Sequence, residues 1–311
     1  MKKYLLLGLL GLMTSGVYAQ KAKPRKPAPK KKGSVTVKTV ATQTALDAHP
    51  LQSGQSYAYD VVNGSLTKTD AEETIGTKKR YYDVYTLSLK EGEELRIEAA
   101  SDRYQVALQL KTPDNQTIAR TDTAEFPGFS IQKLAYKVPA TGIYSLRIST
   151  TDAGPTGDYL IRKYLLPGTL ELPAATADAC DRLHFLLAHH QDHFLKLKGK
   201  KGKTDKKAGI TEHYETPFAF VAGKPAEIIF ETEQQKTKYL NVLGEFPTKD
   251  AALKVHAEYV AQLKKCLEGW QTDELSGEKF QEFSLSSYTD FITLTVKEVG
   301  KKKFQLVFGL D

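Results

Sequence analysis

Alternation of apolar and polar residues between residues 80 and 164 is the feature that most constrains the fold of this chain. The alternation runs through residues 82–87, 95–97 and 106–110. A period of two is typical of β-strands that bury one face. Turn-forming residues separate the runs, as at Glu91-Gly92 and Pro139-Ala140-Thr141-Gly142. Because no helical stretch intervenes, this segment is predicted to form a small antiparallel β-sandwich.

Several motifs of the predicted sandwich are also those of a known family. Tyr82-Asp83-Val84-Tyr85 matches an aromatic-Asp-x-Tyr strand, residues 139–144 match a closing turn and strand, and Gly157-Asp158-Tyr159 matches a last strand. Over about residues 51–166 the chain resembles the bacterial pre-peptidase C-terminal domain, a jelly-roll-like accessory module of secreted proteins. The resemblance implies a module that has no active site of its own.

Calcium binding is a property that the resemblance leaves open. Some relatives bind calcium and fibrous protein, but this chain lacks two of their acidic residues. It has Ser101-Asp102-Arg103-Tyr104-Gln105 and Thr121-Asp122-Thr123 at the corresponding places. We therefore expect Asp83 to orient turns by hydrogen bonding. No cofactor is predicted, with calcium as the alternative.

The beginning of the chain is predicted to be a secretory signal peptide, residues 1–19. Lys2 and Lys3 precede an apolar run at 5–13, and Val17-Tyr18-Ala19 fits a cleavage site. The run is far shorter than the roughly 20 residues that span a bilayer, so no transmembrane segment is expected in the mature chain. The protein is therefore predicted to be exported, to the periplasm or the cell exterior.

A basic, Lys/Pro-rich linker is predicted at residues 20–50. The nine basic residues before Gly33 exceed the formal net charge of +7, so residues 33–311 carry −2. A basic arm can contact nucleic acid, an anionic glycan or lipid headgroups, or serve only as a spacer. A second lysine-rich stretch, 196–207, is expected to be a solvated loop. It lacks a run of stacking aromatic residues, so a nucleic-acid partner is not predicted.

The hydrophobic period changes from two to about 3.6 near residue 177, after a predicted linker at 167–175. An apolar stripe predicts an amphipathic helix at 177–197, and Thr248 with Asp250 predicts the start of a second one. Strand-like runs follow the helices, at 213–221, 226–232 and 237–243, and at 280–286, 290–298 and 303–310.

Residues 176–311 are therefore predicted to form an α+β domain of order helix–three strands–helix–three strands. The repeated order suggests a duplication of topology. It is loosely similar to the small α+β domains of the YbjN and secretion-chaperone kind. The predicted fold class of the whole chain is mainly β plus α+β.

The two cysteines of the chain, Cys180 and Cys266, are predicted to form a disulfide. An isolated pair in an exported chain usually oxidises. Antiparallel helices would bring the start of the first helix beside the end of the second. Two buried free thiols are the alternative.

A histidine-rich cluster is the strongest candidate for chemistry. It contains His184, His189, His190, Asp192 and His193. His189 and His193 are four residues apart, so on a helix they would share a face and could bind a metal ion. The alternative is structural or surface histidines, with His190 on the apolar stripe and His189 toward solvent.

Motifs for a catalytic nucleophile are absent from the sequence. The predicted function is therefore that of a non-catalytic exported binding or accessory protein. Its sandwich would serve adhesion or stability, and its second domain would bind a protein or glycan of the cell envelope or exterior. One alternative is a periplasmic chaperone or inhibitor of a secreted protein. Another is a metal-dependent enzyme that uses the His184–His193 cluster.

Overall fold

A computed structural model of the chain describes residues 44–46, 49–75, 77–121, 130–151, 154–205, 210–287, 289–300 and 303–311. The predicted signal peptide and most of the predicted linker lie outside these residues. The described residues form one compact unit. The elements of the first half are β1 (Thr44–Ala45), β2 (Ala58–Leu66), β3 (Ala71–Ile75), β4 (Lys78–Leu89), β5 (Glu94–Ser101), β6 (Val106–Lys111), β7 (Thr117–Thr121), β8 (Ser130–Lys137), β9 (Gly142–Thr150) and β10 (Gly157–Leu166). Those of the second half are α1 (Ala179–His190), β11 (Lys201–Asp205), β12 (Thr211–Glu215), β13 (Ala226–Glu231), β14 (Lys236–Phe246), α2 (Lys249–Cys266), β15 (Gln271–Ser276), β16 (Phe280–Ser286), β17 (Phe291–Val299) and β18 (Lys303–Leu310).

The first half of the described chain consists of two β-sheets that enclose a hydrophobic core. One sheet has the order β1-β4-β9-β6-β7, with β3 also paired to β4, and the other has the order β2-β10-β5-β8. Alternate side chains of both sheets, such as Leu87, Ile97 and Leu146, are fully buried between them. The alternation in the sequence reports this burial, and the prediction of a β-rich fold is confirmed. A jelly-roll arrangement of the strands stays a prediction.

The second half contains one antiparallel sheet of eight strands, in the order β11-β12-β13-β14-β18-β17-β16-β15. It consists of two four-stranded meanders that meet where β14 pairs with β18. The predicted order of three strands after each helix is therefore wrong, because four strands follow each. The two missed strands, β11 and β15, are exposed at every residue. They bury no face, so they leave no alternation in the sequence, and part of the predicted lysine-rich loop is in fact β11.

The two helices pack on one face of the eight-stranded sheet. Helix α1 lies between this sheet and the sandwich, and Leu183, Phe185 and Leu187 on it are almost completely buried. Its N-cap is Asp178, and Thr248 caps α2 as the sequence predicts. In contrast to the prediction of 177–197, α1 ends at His190.

Tertiary contacts account for the early end of α1. His193 and Phe194 both have a φ of 57°, a left-handed conformation that bulky residues rarely adopt. The turn lets Phe194 enter the core, where it is fully buried. The gain from burying an aromatic ring offsets the cost of this backbone conformation.

A disulfide joins Cys180 at the start of α1 to Cys266 at the end of α2. The two helices contact each other, so this bond fixes the helical layer at one end. Within the described residues, neither helix is long and apolar enough to cross a membrane.

Candidate binding surface

The structure does not bring His189 and His193 together on one helical face, because α1 ends between them. His189 is only 2% exposed, and its ring centroid lies 4.6 Å from that of Phe185. Among the described residues its Nδ1 has no hydrogen-bond partner. Burial, helped by the charges of Arg96 and Lys196, lowers the pKa of His189 to about 3. The expectation that His189 faces solvent is therefore wrong.

His190 belongs to a buried charge network between the sandwich and the second half. Its Nδ1 donates to Asp290 Oδ1 at 2.6 Å. Asp290 also accepts hydrogen bonds from Arg162 at 3.4 Å and from Thr289 at 2.7 Å. Arg162 lies on β10 of the sandwich, so these bonds connect the two halves. His190 therefore makes an internal hydrogen bond within the second half, and Arg162 connects that bond to the sandwich.

Two buried carboxylates of this network have pKa values shifted in opposite directions. Burial raises the pKa of Asp290, but hydrogen bonds from His190 and Thr289 and the charges of His190 and Arg162 outweigh it, so this pKa is lowered. Burial and the nearby charge of Asp290 raise the pKa of Glu98. Glu98 lies 3.8 Å from Arg162 and 3.2 Å from Lys133. The network therefore favours the charged form of Asp290 over that of Glu98.

A second set of polar contacts tightens the same junction. Arg96 on β5 donates to the carbonyl oxygen of Ala188 and pairs with Asp192 at 2.5 Å. Lys196 pairs with Glu94 at 2.6 Å. Asp192 is thus paired with the sandwich, and His190 is paired with Asp290. The described residues contain no group of three or more His, Cys, Asp or Glu side chains that could hold a metal ion.

His184, the remaining member of the cluster, lies in a cleft of about 570 Å³ beside the predicted linker. Its ring centroid is 4.4 Å from that of Tyr59, and its Nε2 lies 3.3 Å from the carbonyl oxygen of Cys266. Across the cleft Tyr57 donates to Asp181 at 3.0 Å. Burial raises the pKa of Tyr59 to about 12. These contacts join the sandwich to α1.

Asp83, the acidic residue of the family-like motif, accepts a hydrogen bond from Tyr159 at 2.5 Å. Tyr159 in turn lies 2.6 Å from the hydroxyl of Tyr85. Burial raises the pKa of Asp83. This chain of hydrogen bonds joins β4 to β10, and the expected orientation of turns by Asp83 stays a prediction. Asp122, which the calcium alternative also involves, lies outside the described residues.

The face of the eight-stranded sheet that points away from the helices has no covering layer among the described elements. We call it the open face. The side chains of β14, β17 and β18 alternate between the helical side, as at Tyr239, Leu294 and Phe308, and the open face. Described contacts of these strands are with neighbouring strands and α2. The centre and one half of the open face consist of Leu240, Val242, Leu275, Phe280, Glu282, Ser284, Ser286, Phe291, Thr293, Thr295, Lys297, Gln305, Val307 and Gly309.

Exposed apolar side chains stand at both ends of a floor of small residues on the open face. Phe291 is 41% exposed at one end, and Phe280 and Leu275, 41% and 55% exposed, stand at the other. Thr293 and Thr295 lie between them on β17. Phe280 is opposite Lys297, six residues from Phe291 on β17, so the two aromatic rings are about 20 Å apart along the strands.

Acidic residues outnumber lysines on the open face. The acids are Asp205, Glu215, Glu227, Glu231, Glu245, Asp273, Glu282 and Asp311, and the lysines include Lys236, Lys238, Lys297 and Lys303. Lys238 is paired with Glu231 at 3.4 Å and with Asp311 at 3.5 Å. Its charge is therefore compensated, and the open face as a whole is negative.

The open face cannot be predicted from hydrophobic periodicity, because periodicity reports only the side of a strand that faces the core. The sequence nevertheless contains one indication of this surface, which is the presence of two aromatic residues at strand positions that should face solvent. Phe280 and Phe291 each begin a strand out of phase with its buried residues, such as Phe283 and Ile292. Single exposed apolar side chains are normal, so the signal lies in their grouping on one sheet face, with Leu275 at the same end as Phe280.

Comparisons with known proteins give only partial matches to solved structures. No protein-family model matches the chain, and no curated protein matches it. A periplasmic inhibitor of g-type lysozyme from Aeromonas hydrophila is 15% identical, with a TM-score of 0.28, over 40% of this chain and 96% of its own. The pre-peptidase C-terminal domain of a Bacillus anthracis collagenase is 18% identical, with a TM-score of 0.23, over 33% of this chain and 87% of its own.

A third similar structure is a Bacillus licheniformis lipase in its propeptide form. It is 13% identical, with a TM-score of 0.22, and the match covers 77% of this chain and 46% of the lipase. Because all three TM-scores are below 0.5, these likenesses assign no function to the chain, and its own contacts and charges must do so.

Proposed function

We propose that this chain is an exported, non-catalytic binding protein that holds a basic protein partner on the open face of its eight-stranded sheet. The observation that carries the proposal is the pairing of an uncovered sheet face with exposed Phe280, Phe291 and Leu275. A sheet needs cover on one face to form a core, and α1 and α2 supply it. The other face is free to receive a partner.

The size of the open face suits a protein. Eight strands about 4.8 Å apart span about 34 Å, and strands of this length cover about 20–25 Å in the other direction. The resulting area, about 700–800 Å², is close to the roughly 800 Å² that each partner contributes to a stable protein–protein interface. Exposed aromatic anchors around small, closely packed residues are typical of such interfaces.

Charge selects the kind of partner. The negative potential of the open face attracts a basic surface and speeds its encounter. We therefore expect association to weaken as salt is raised, because rim charges are screened within about 8–10 Å at ordinary ionic strength. The disulfide between Cys180 and Cys266 suits a protein that works in an oxidising compartment.

The test is capture from the exported fraction of the native cell, using the mature chain as bait. Three baits are compared: the wild type, the double variant Phe280→Ser with Phe291→Ser, and a matched control. The control is Val61→Ser with Ile143→Ser, two exposed apolar residues of the sandwich that are 46% and 56% exposed. The wild type and the control should recover one dominant basic protein, and the double variant should not.

Calorimetry on the purified pair then gives the magnitude. Loss of two aromatic anchors should weaken binding at least about 100-fold, since each such residue contributes about 2 kcal/mol or more. Equal capture by all three baits, an acidic partner, or recovery of nothing but polysaccharide would each refute the proposal.

The same experiment separates the two narrower roles. An inhibitor holds a folded, inactivated partner, whereas a chaperone holds an unfolded one and is displaced when the partner folds. We favour an inhibitor, because a sheet braced by α1, α2 and a disulfide offers a preformed surface that suits a folded partner. Protease resistance of the captured partner decides between them.

A further inference from the structure

Two arginine side chains converge on Glu73 on the outer face of the sandwich, a part of the structure separate from the open face. Arg80 is on β4 and Arg147 is on the neighbouring strand β9. Their side chains are only 14% and 15% exposed. The guanidinium carbon of Arg147 lies 3.7 Å from the centre of the Tyr82 ring, which holds it flat against the sheet.

One carboxylate serves both arginines. Glu73 on β3 has an oxygen 2.6 Å from Arg147 Nη2 and 3.6 Å from Arg80 Nε. Within the part of the chain that the structure describes, two positive charges therefore share one negative charge in a region with little access to water. A mostly buried charge without a counter-charge is unfavourable, so the arrangement leaves a place for a further anion.

Hydrogen bonding at the two arginines is also incomplete. Among the described residues, the Nε atoms of Arg80 and Arg147 are buried and have no hydrogen-bond acceptor. Buried donors of native proteins are almost always satisfied, by protein, water or ligand. A guanidinium is a planar fork of donors that matches the oxygens of a carboxylate, sulfate or phosphate.

A recess of about 150 Å³ lies directly beside these groups. It is lined by Glu73, Arg80, Gln109, Lys111, Arg147 and Ser149 and by two apolar residues. Lys111 adds a third positive charge, and Gln109 and Ser149 add uncharged polar groups. The recess has room for one small polyatomic anion, but not for a large ligand.

We propose that this recess binds a single oxyanionic group, a carboxylate, sulfate or phosphate, between Arg80 and Arg147. The group would be free in solution or carried by an acidic sugar. Arg147, stacked on Tyr82, provides a prepositioned fork, and Lys111 provides a further positive charge. The site is separate from the open face and does not depend on the proposed protein partner.

Binding is tested with the mature chain by calorimetry and by thermal unfolding. The probes are sodium sulfate, inorganic phosphate, acetate and glucuronate, each at constant ionic strength against chloride. We expect saturable binding of one anion per chain and a rise in Tm that saturates with it. Glucuronate binding more tightly than acetate would assign the anion to an acidic sugar, and the reverse order would assign it to a free anion.

Variants locate the site. Arg147→Gln and Arg80→Gln should each weaken binding at least tenfold, and Arg147→Lys, which keeps the charge but loses the fork, should weaken it also. Lys79→Gln is the matched control. It removes one charge from the same strand, but Lys79 is 57% exposed and has its own partner, Glu72, at 2.9 Å.

Three outcomes would overturn the site: no saturable binding of any probe, unchanged binding in both arginine variants, or an equal loss in Lys79→Gln. If an arginine variant does not fold, NMR of the wild type decides. Sulfate should then shift the signals of Tyr82 and Gln109, and shifts elsewhere only would contradict the site.

Discussion

Acid should destabilise this protein through His189, a residue that the sequence presents as a metal ligand and the fold uses as a core side chain. Its imidazole is 2% exposed and faces Phe185, with Arg96 and Lys196 as the nearby charges. These surroundings lower its pKa to about 3. In the unfolded chain the same group titrates near 6.5.

The direction of the change in stability depends on whether the folded or the unfolded chain binds the proton. Between about pH 6.5 and pH 3 the unfolded chain holds a proton on His189 and the folded chain does not, so the free energy of unfolding falls as pH falls. Each pH unit below 6.5 lowers the free energy of unfolding by about 1.4 kcal/mol. At pH 5 the loss from this residue alone should be about 2 kcal/mol.

The measurement is urea unfolding of the wild type, His189→Leu and His189→Gln at intervals between pH 8 and pH 5. Both variants abolish the titration, but one is apolar and the other can hydrogen-bond. Their stabilities at pH 8 record the change in packing. Between pH 8 and pH 5, the free energy of unfolding of each variant should fall by about 2 kcal/mol less than that of the wild type.

Other histidines do not confuse this comparison. Burial also lowers the pKa values of His184 and His256, but they are present in all three proteins and cancel in the difference. The reasoning is refuted if the wild type and both variants lose the same stability on acidification. That result would mean that His189 is protonated in the folded state.

Two further predictions concern the junction and the helical layer. Asp290→Asn should lower the free energy of unfolding at pH 7 by about 3 kcal/mol, because it leaves Arg162 and His190 buried without their shared carboxylate. Since the pKa of Asp290 is lowered, its contribution to stability is present above about pH 4 and lost below it. The free energies of unfolding of variant and wild type, measured with urea, should therefore converge in acid. A constant difference between them would contradict the network. Replacing Cys180 and Cys266 by Ser should lower the free energy of unfolding by about 4.6 kcal/mol, as the chain-entropy estimate gives for a separation of 86 residues. A double variant as stable as the oxidised wild type would show that the bond adds nothing.

The residues that resemble a catalytic cluster show why sequence spacing alone misleads here. The four-residue spacing of His189 and His193 means a shared face only while the helix continues. Burial of Phe194 and the bonds from Arg96 to Ala188 and Asp192 end the helix before His193. These contacts join segments about a hundred residues apart, and no local pattern contains them.

Wherever one side of a segment is buried and the other is not, the sequence by itself determined the structure. It predicted β6, β9, β16, β18 and the start of α2 at Thr248, because burial imposes a period of two or 3.6 on the residues, and a capping side chain marks the end of a helix. The exposed edge strands β11 and β15 left no such pattern.

Only the tertiary structure decided which faces are free and which charges meet. The open face exists because α1 and α2 both pack on the same side of the sheet. Arg80 and Arg147 meet at Glu73 because β3, β4 and β9 are neighbouring strands, although β9 is distant from the other two in sequence. Periodicity records how much of a residue is buried but not what buries it, and binding depends on what remains uncovered.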